Sequence, residues 1–218
     1  MTNKQKQPPK NPVRFNITLS AEQKSAKTNM LSHAYSFIVG QAGSGKTLLA
    51  VQMALDQFFK KQYDKIVITR PTVATEDNGF LPGSEKEKME PWLVPIVSNM
   101  RKVYNKADKI NKMLEKEEIE LVALSHFRGR TFDNSIVIVD EFQNLTKAQL
   151  SMALGRLGKD SIMIFCGDNK QIDLTNKDHS AYHELAKIRG SKHVHKVVLE
   201  DNHRHNAVNE VLKLLTGY

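Results

Sequence analysis

The chain alternates short, dense apolar runs with longer segments whose apolar positions recur every three or four residues. The short runs at 35–39, 65–69 (KIVIT), 119–124 (IELVAL), 135–139 (SIVIV), 161–166 (SIMIFC) and 194–199 (VHKVVL) are rich in β-branched residues and mostly lack polar alternation. Such runs predict strands buried on both faces. Helices are predicted over 47–60, over 85–105 with interruptions at Pro91 and Pro95, and over 146–156, 179–189 and 205–216. A further helix opens at Ser20 and runs to Leu31. Strands separated by helices describe a doubly wound α/β fold: a mostly parallel sheet, helices on both faces, and a ligand crevice at the carboxyl ends of the strands.

Composition narrows this picture. At 218 residues and 40% hydrophobic, the chain suits one core and one domain, expected over 14–218. Residues 1–13 (MTNKQKQPPKNPV) are polar, basic and proline-rich, the composition of a disordered arm. The excess of 32 Lys+Arg over 24 Asp+Glu favours a polyanionic partner. Cys166 lies inside an apolar run and reads as a core residue, so no disulfide is expected. With neither a signal-like start nor an apolar run near membrane-spanning length, the expected setting is the cytoplasm, with no membrane partner.

Candidate chemistry sits where strands end. "GQAGSGKT" at 40–47 follows the first run and opens a helix, a complete G-x-x-x-x-G-K-[ST] pattern. The backbone N–H groups of Gly40, Gln41, Ala42, Gly43, Ser44, Gly45, Lys46, Thr47 and Leu48 are expected to cradle phosphates at a helix N-terminus. Lys46 would bridge the β- and γ-phosphates of ATP, and the Thr47 hydroxyl would face Mg²⁺. Asp140 and Glu141 end the run 135–139. Two carboxylates on a buried strand require a cation nearby, so Asp140 is the candidate Mg²⁺ ligand and Glu141 the group that directs water at the γ-phosphate. Gln171 in "FCGDNKQ" follows a third strand. It is either a γ-phosphate reporter or part of a solvated turn.

"GQAGSGKT", "VITRPT", "GFLPGSEKEKMEPWLVPI", "RGRTFDNSIVIVDEFQN" and "FCGDNKQIDL", five blocks spread over residues 17–216, resemble the PhoH family of P-loop ATPases, which in turn resembles the first motor domain of superfamily one helicases. The resemblance implies a RecA-like core, ATP hydrolysis and a role touching RNA or DNA. It makes Gln23 an adenine reader, although Ser20-x-x-Gln23 is equally a capping box. In "LEDNHR" it puts His203 against the base and Arg204 on the γ-phosphate. The helicases have an aromatic residue at the His203 position. Arg70, with Thr72 and Phe80 in the long segment 71–88, becomes a candidate contact for single-stranded RNA or DNA. Arg128 and Arg130 are nucleic-acid contacts, trans-acting arginines or plain surface residues. A lone motor domain would close its site with a second copy, which predicts a homo-oligomeric ring. Two rival readings stand beside this one. In a nucleoside kinase of the thymidine type Glu141 would act on a nucleoside hydroxyl, but the cysteines of a zinc lasso are missing; in a nucleotide-ordered nucleic-acid-binding ring hydrolysis would be incidental.

Overall fold

The computed structural model describes residues 13–71, 85–188 and 190–216. Six strands form one parallel sheet: β1 (Tyr35–Gly40), β2 (Lys65–Thr69), β3 (Ile119–Leu121), β4 (Ser135–Val139), β5 (Ile162–Gly167) and β6 (Val194–Leu199), in the order β3-β2-β4-β5-β1-β6. The helices are α1 (Ala21–Met30), α2 (Lys46–Phe59), α3 (Glu85–Val103), α4 (Ala107–Glu115), α5 (Lys147–Leu154) and α6 (Asn206–Thr216).

Each central strand has two faces with different side chains. Ile38, Ile66, Ile68, Ile136, Ile138, Ile162 and Ile164 pack with α1, α2, α3 and α4 into one cluster. Phe37, Val39, Val67, Val137, Val139, Met163 and Phe165 pack on the other face with Phe142, Leu150 and Ala153. Successive strand side chains alternate sides, so "KIVIT" and "SIVIV" send isoleucine one way and valine the other. Removing both faces from water is the main drive for this layering, at about 25 cal/mol per Å² of apolar surface.

Several boundaries differ from expectation. The run 119–124 pairs only through Leu121, because β3 is an edge strand and the chain turns into a 3-10 segment at Leu124–Phe127. α3 runs through both Pro91 and Pro95 as one helix, with Pro95 on its exposed side. Residues expected as a helix over 179–189 form 3-10 turns at Lys177–His179 and Ala181–Lys187. α4 is additional to the expected helices, although Ile110, Met113 and Leu114 have helical spacing and pack on the core. The arm expected over 1–13 lies outside the described residues except for Val13, which packs against the core. Thr72 and Phe80 also lie outside them. Among the described residues no helix is long and apolar enough to cross a membrane.

Candidate nucleotide site

The phosphate loop joins β1 to α2. Gly45 is the N-cap of α2 with φ 82°, a left-handed conformation, and caps no N–H with a side chain. The first helical bond runs from the Leu49 N–H to the Gly45 carbonyl (2.8 Å), which leaves the preceding N–H groups facing forward. Lys46 Nζ donates to the carbonyls of Gly40 (2.8 Å) and Gln41 (3.0 Å) within the loop. The Ser44 hydroxyl is buried with no hydrogen-bond partner. A helix dipole, forward N–H groups and a lysine form a receptor for an anion, while the Ser44 hydroxyl lies buried against Gly40.

Beyond β4, Asp140 continues the ladder, its N–H donating to the Thr69 carbonyl at 2.9 Å. The Thr47 hydroxyl donates to Asp140 Oδ1 at 2.7 Å, bringing the end of the phosphate loop and the end of β4 together. Asp140 is 3% exposed. Burial, and then the neighbouring charge of Glu141, push its carboxyl up to about 6, while Thr47, Arg70 and Lys46 act in the opposite direction. A hydroxyl and a buried carboxylate are hard oxygen donors, and a divalent cation there would offset the cost of keeping Asp140 ionised. Thr47 and Asp140 therefore fit Mg²⁺. Arg70, at the end of β2, lies 3.8 Å from Asp140 Oδ2 and 3.6 Å from Glu141 Oε1, facing the acids. Glu141 has φ 53° and ψ 42°, a left-handed conformation that costs a non-glycine residue about 1–2 kcal/mol.

The loop after β5 supports this acidic turn from the side. A Cβ on Gly167 would stand 2.4 Å from the Phe142 ring and 2.9 Å from Gln143 Oε1, so only glycine allows the approach. Asp168 accepts from Gln171 Nε2 (2.9 Å) and from the Lys170 N–H (3.0 Å), which fixes Gln171 at the cleft wall. Gln143, fully buried, donates to Glu141 Oε2 (2.6 Å) and to the Gln171 carbonyl (3.0 Å), and accepts from the Asp168 N–H (3.1 Å). Sequence reasoning misses Gln143. Its only signal is an amide two residues beyond Glu141.

On the opposite side, Gln23 makes the capping box and also reaches the phosphate loop. Its Oε1 accepts from the Ser20 N–H while Ser20 Oγ accepts from the Gln23 N–H, completing the capping box. Its Nε2 donates to the Ser44 carbonyl (3.3 Å) and meets His203 Nε2 (3.3 Å). The neighbouring Glu22 accepts from the N–H groups of Glu200 (2.8 Å) and Asp201 (3.4 Å). The His203 N–H donates to the Gly43 carbonyl (3.0 Å), and the Arg204 side chain lies over Gly43. The segment after β6 is thus tied to α1 and to the phosphate loop.

The arginines of "RGRT" part company. Arg130 forms a two-pronged pair with Glu120 (2.7 and 2.8 Å) and stacks over Phe132 (4.9 Å). The Arg130 hydrogen bonds hold the Glu120 carboxyl below its ordinary range. This corrects the expectation of a free contact at Arg130, because its guanidinium is already committed within the chain. Arg128 is exposed.

Lys46, Thr47, Glu141, Gln171, His203 and Arg204 line one cleft of about 540 Å³ at the carboxyl ends of the strands, with Gln23 at its wall and Asp140 beneath. Residues 17–216 match the family described as PhoH-like protein. The chain belongs to the PhoH family. PhoH-like proteins similar to it include those of Synechocystis sp. (43% identical over 149 residues, 68% of this chain and 45% of the relative) and Bacillus subtilis (47% over 139 residues, 63% and 43%). The PhoH-like protein of Mycobacterium leprae is 35% identical over 186 residues, 84% of this chain and 53% of the relative. The chain spans roughly half the length of these relatives. Among solved structures, the large terminase of a thermophilic bacteriophage superposes with a TM-score of 0.56 at 10% identity, covering 90% of this chain and 50% of that one. The Sulfolobus solfataricus SWI2/SNF2 ATPase core, solved in complex with dsDNA, gives 0.50 at 14% identity, covering 88% and 47%. These likenesses speak for the fold, the RecA-like α/β core of P-loop NTPases.

Proposed function

We propose that this PhoH-family chain binds ATP with Mg²⁺ and hydrolyses it, coupled to single-stranded RNA or DNA as a homo-oligomer. The observation that carries the reading is the Thr47–Asp140 contact of 2.7 Å beneath a cleft that also presents Lys46, Glu141 and Gln171. The forward N–H groups of α2 and Lys46 hold the β- and γ-phosphates, with Lys46 exchanging its loop carbonyls for phosphate oxygens. Thr47 and Asp140 hold the metal ion, which neutralises charge developing on the phosphates. Glu141 orients the attacking water and accepts its proton, Gln171 fixes the far side of that water, and Arg204 offsets charge on the γ-phosphate. Arg128, exposed and outside the cleft, is the arginine offered to a polynucleotide or to a neighbouring copy's site. The basic balance of the chain supports the polyanionic partner.

The test is steady-state phosphate release by the native protein and by Glu141→Gln, with and without single-stranded RNA or DNA at two salt concentrations. Glu141→Gln is expected to lower kcat by about 10²-fold or more, and polynucleotide to raise native turnover with a salt-dependent slope. Native turnover in the variant removes Glu141 from the mechanism. Slow turnover indifferent to polynucleotide favours a nucleotide-ordered binding ring. A monomeric mass by light scattering with an ATP analogue present removes the oligomer.

A further inference from the structure

Glu141 combines two features that pull against each other: a left-handed backbone that a glutamate does not favour, and a carboxylate that must stand at a fixed place in the cleft. Such a residue stays put only where its surroundings over-determine it. Among the described residues, the one hydrogen bond to its carboxylate comes from Gln143 Nε2, at 2.6 Å. The Arg70 guanidinium stands further off, at 3.6 Å.

Gln143 is itself immobilised. Its amide orientation follows from its partners: a flip would turn the carbonyl oxygen toward the Glu141 carboxylate and the Gln171 carbonyl, and the NH₂ toward the Asp168 N–H. Its backbone carbonyl accepts from the Ser180 hydroxyl at 2.5 Å. The adjacent Asn144 exchanges two hydrogen bonds with Asp173, at 2.8 and 3.2 Å. Gly167 has no side chain, which is what lets the amide lie against β5.

We propose that Gln143 is a positioning residue for hydrolysis, whose buried amide locks the Glu141 carboxylate to the loop carrying Gln171, so that the two groups facing the γ-phosphate hold one spacing. This rests on the ATPase reading above. The partners of the Gln143 amide are Glu141, Asp168 and Gln171, all outside the phosphate loop, so ground-state nucleotide binding does not run through it. A displacement of Glu141 relative to Gln171 therefore acts on the chemical step, where small misplacements have large effects.

Gln143→Ala removes the clamp. Gln143→Glu, nearly isosteric, keeps an acceptor for Asp168 but faces Glu141 with oxygen instead of N–H, and carries the test should the alanine variant fail to fold. Each is expected to lower kcat for ATP by about 10- to 100-fold. KM, and the Kd of a fluorescent ATP analogue, should stay within about twofold of native. In a Glu141→Gln background, single-turnover release of labelled phosphate should fall by no more than about threefold on adding Gln143→Ala, since both changes act through one group. If the Gln143 variants turn over like the native protein while Glu141→Gln is inactive, the clamp is overturned and the ATPase reading stands. Nucleotide affinity lost in step with turnover, or losses at the two positions that multiply, reduce Gln143 to a structural stitch and also overturn it. Native turnover in Glu141→Gln removes Glu141 from the mechanism and the clamp with it, whereas absence of ATP turnover in the native protein defeats the ATPase reading instead.

Discussion

The two sides of the cleft are built on opposite terms. The phosphate loop leaves polar groups unspent: Gly45 caps no N–H, Ser44 Oγ has no partner, and Lys46 rests on carbonyls of its own loop. Across from it, the turn at 140–144 is stitched repeatedly, through Thr47, Arg70, Gln143, Asp173 and Ser180. An unsatisfied buried donor or acceptor costs about 1–3 kcal/mol, so the Ser44 hydroxyl is a stability cost that the loop carries. The acidic turn spends its hydrogen bonds on holding geometry. On the proposed reading, one wall receives the nucleotide and the other aims the reaction.

Substitutions can break this contrast. The largest loss of stability is expected at Asn144→Ala, which abandons both bonds to Asp173 and should cost about 1–3 kcal/mol in urea unfolding. Asp140→Asn should act in the opposite direction in chelator-containing buffer at pH 7.5. The Asp140 carboxyl lies near 6 in the folded chain against 3.8 ordinarily, so the folded state holds that proton more tightly. Its contribution to stability is present below about pH 4 and lost as pH rises through about 6, which makes the ionised group a cost of up to about 3 kcal/mol at neutral pH. Asparagine should recover roughly 1–3 kcal/mol of this, a gain that shrinks toward pH 4 and accompanies loss of turnover. A melting midpoint that does not rise would show that the acid is already compensated within the chain. The smallest effect is expected at Ser44→Ala. Removing a buried hydroxyl that has no partner should raise stability by about 1 kcal/mol in urea unfolding, and a loss of stability would show that the hydroxyl is already paired.

Much of the fold and half of the site are legible in the chain. The buried strands show as β-branched runs because both sheet faces are covered, and the phosphate loop shows because its spacing is itself the chemistry. Asp140 and Glu141 can be read for the same reason: they end a strand whose other residues are apolar. What depends on partners distant in sequence cannot be read. Arg130 looks free until β3 places Glu120 beside it. Gln143 looks like one more polar turn residue until the loop after β5 closes over it. Gln23 admits two readings because its amide has two ends: the fold uses one in the capping box and sets the other against the Ser44 carbonyl and His203. The edge strand β3 is overextended in the sequence reading because apolar residues beyond Leu121 serve a 3-10 turn with the same hydropathy.

The ties from Glu22 and Gln23 to the segment after β6 bear on how the molecule comes into being. They join residues 178 to 180 positions apart, so the wall carrying His203 and Arg204 is placed only when early and late parts of the chain meet. During synthesis the phosphate loop leaves the ribosome well before that wall does. A nascent chain stopped short of residue 199 lacks a complete β6, and with it the neighbour that β1 keeps on its outer side. On the proposed reading, nucleotide capture follows the placing of that wall, and its onset along a series of stalled chains would date the completion of the sheet.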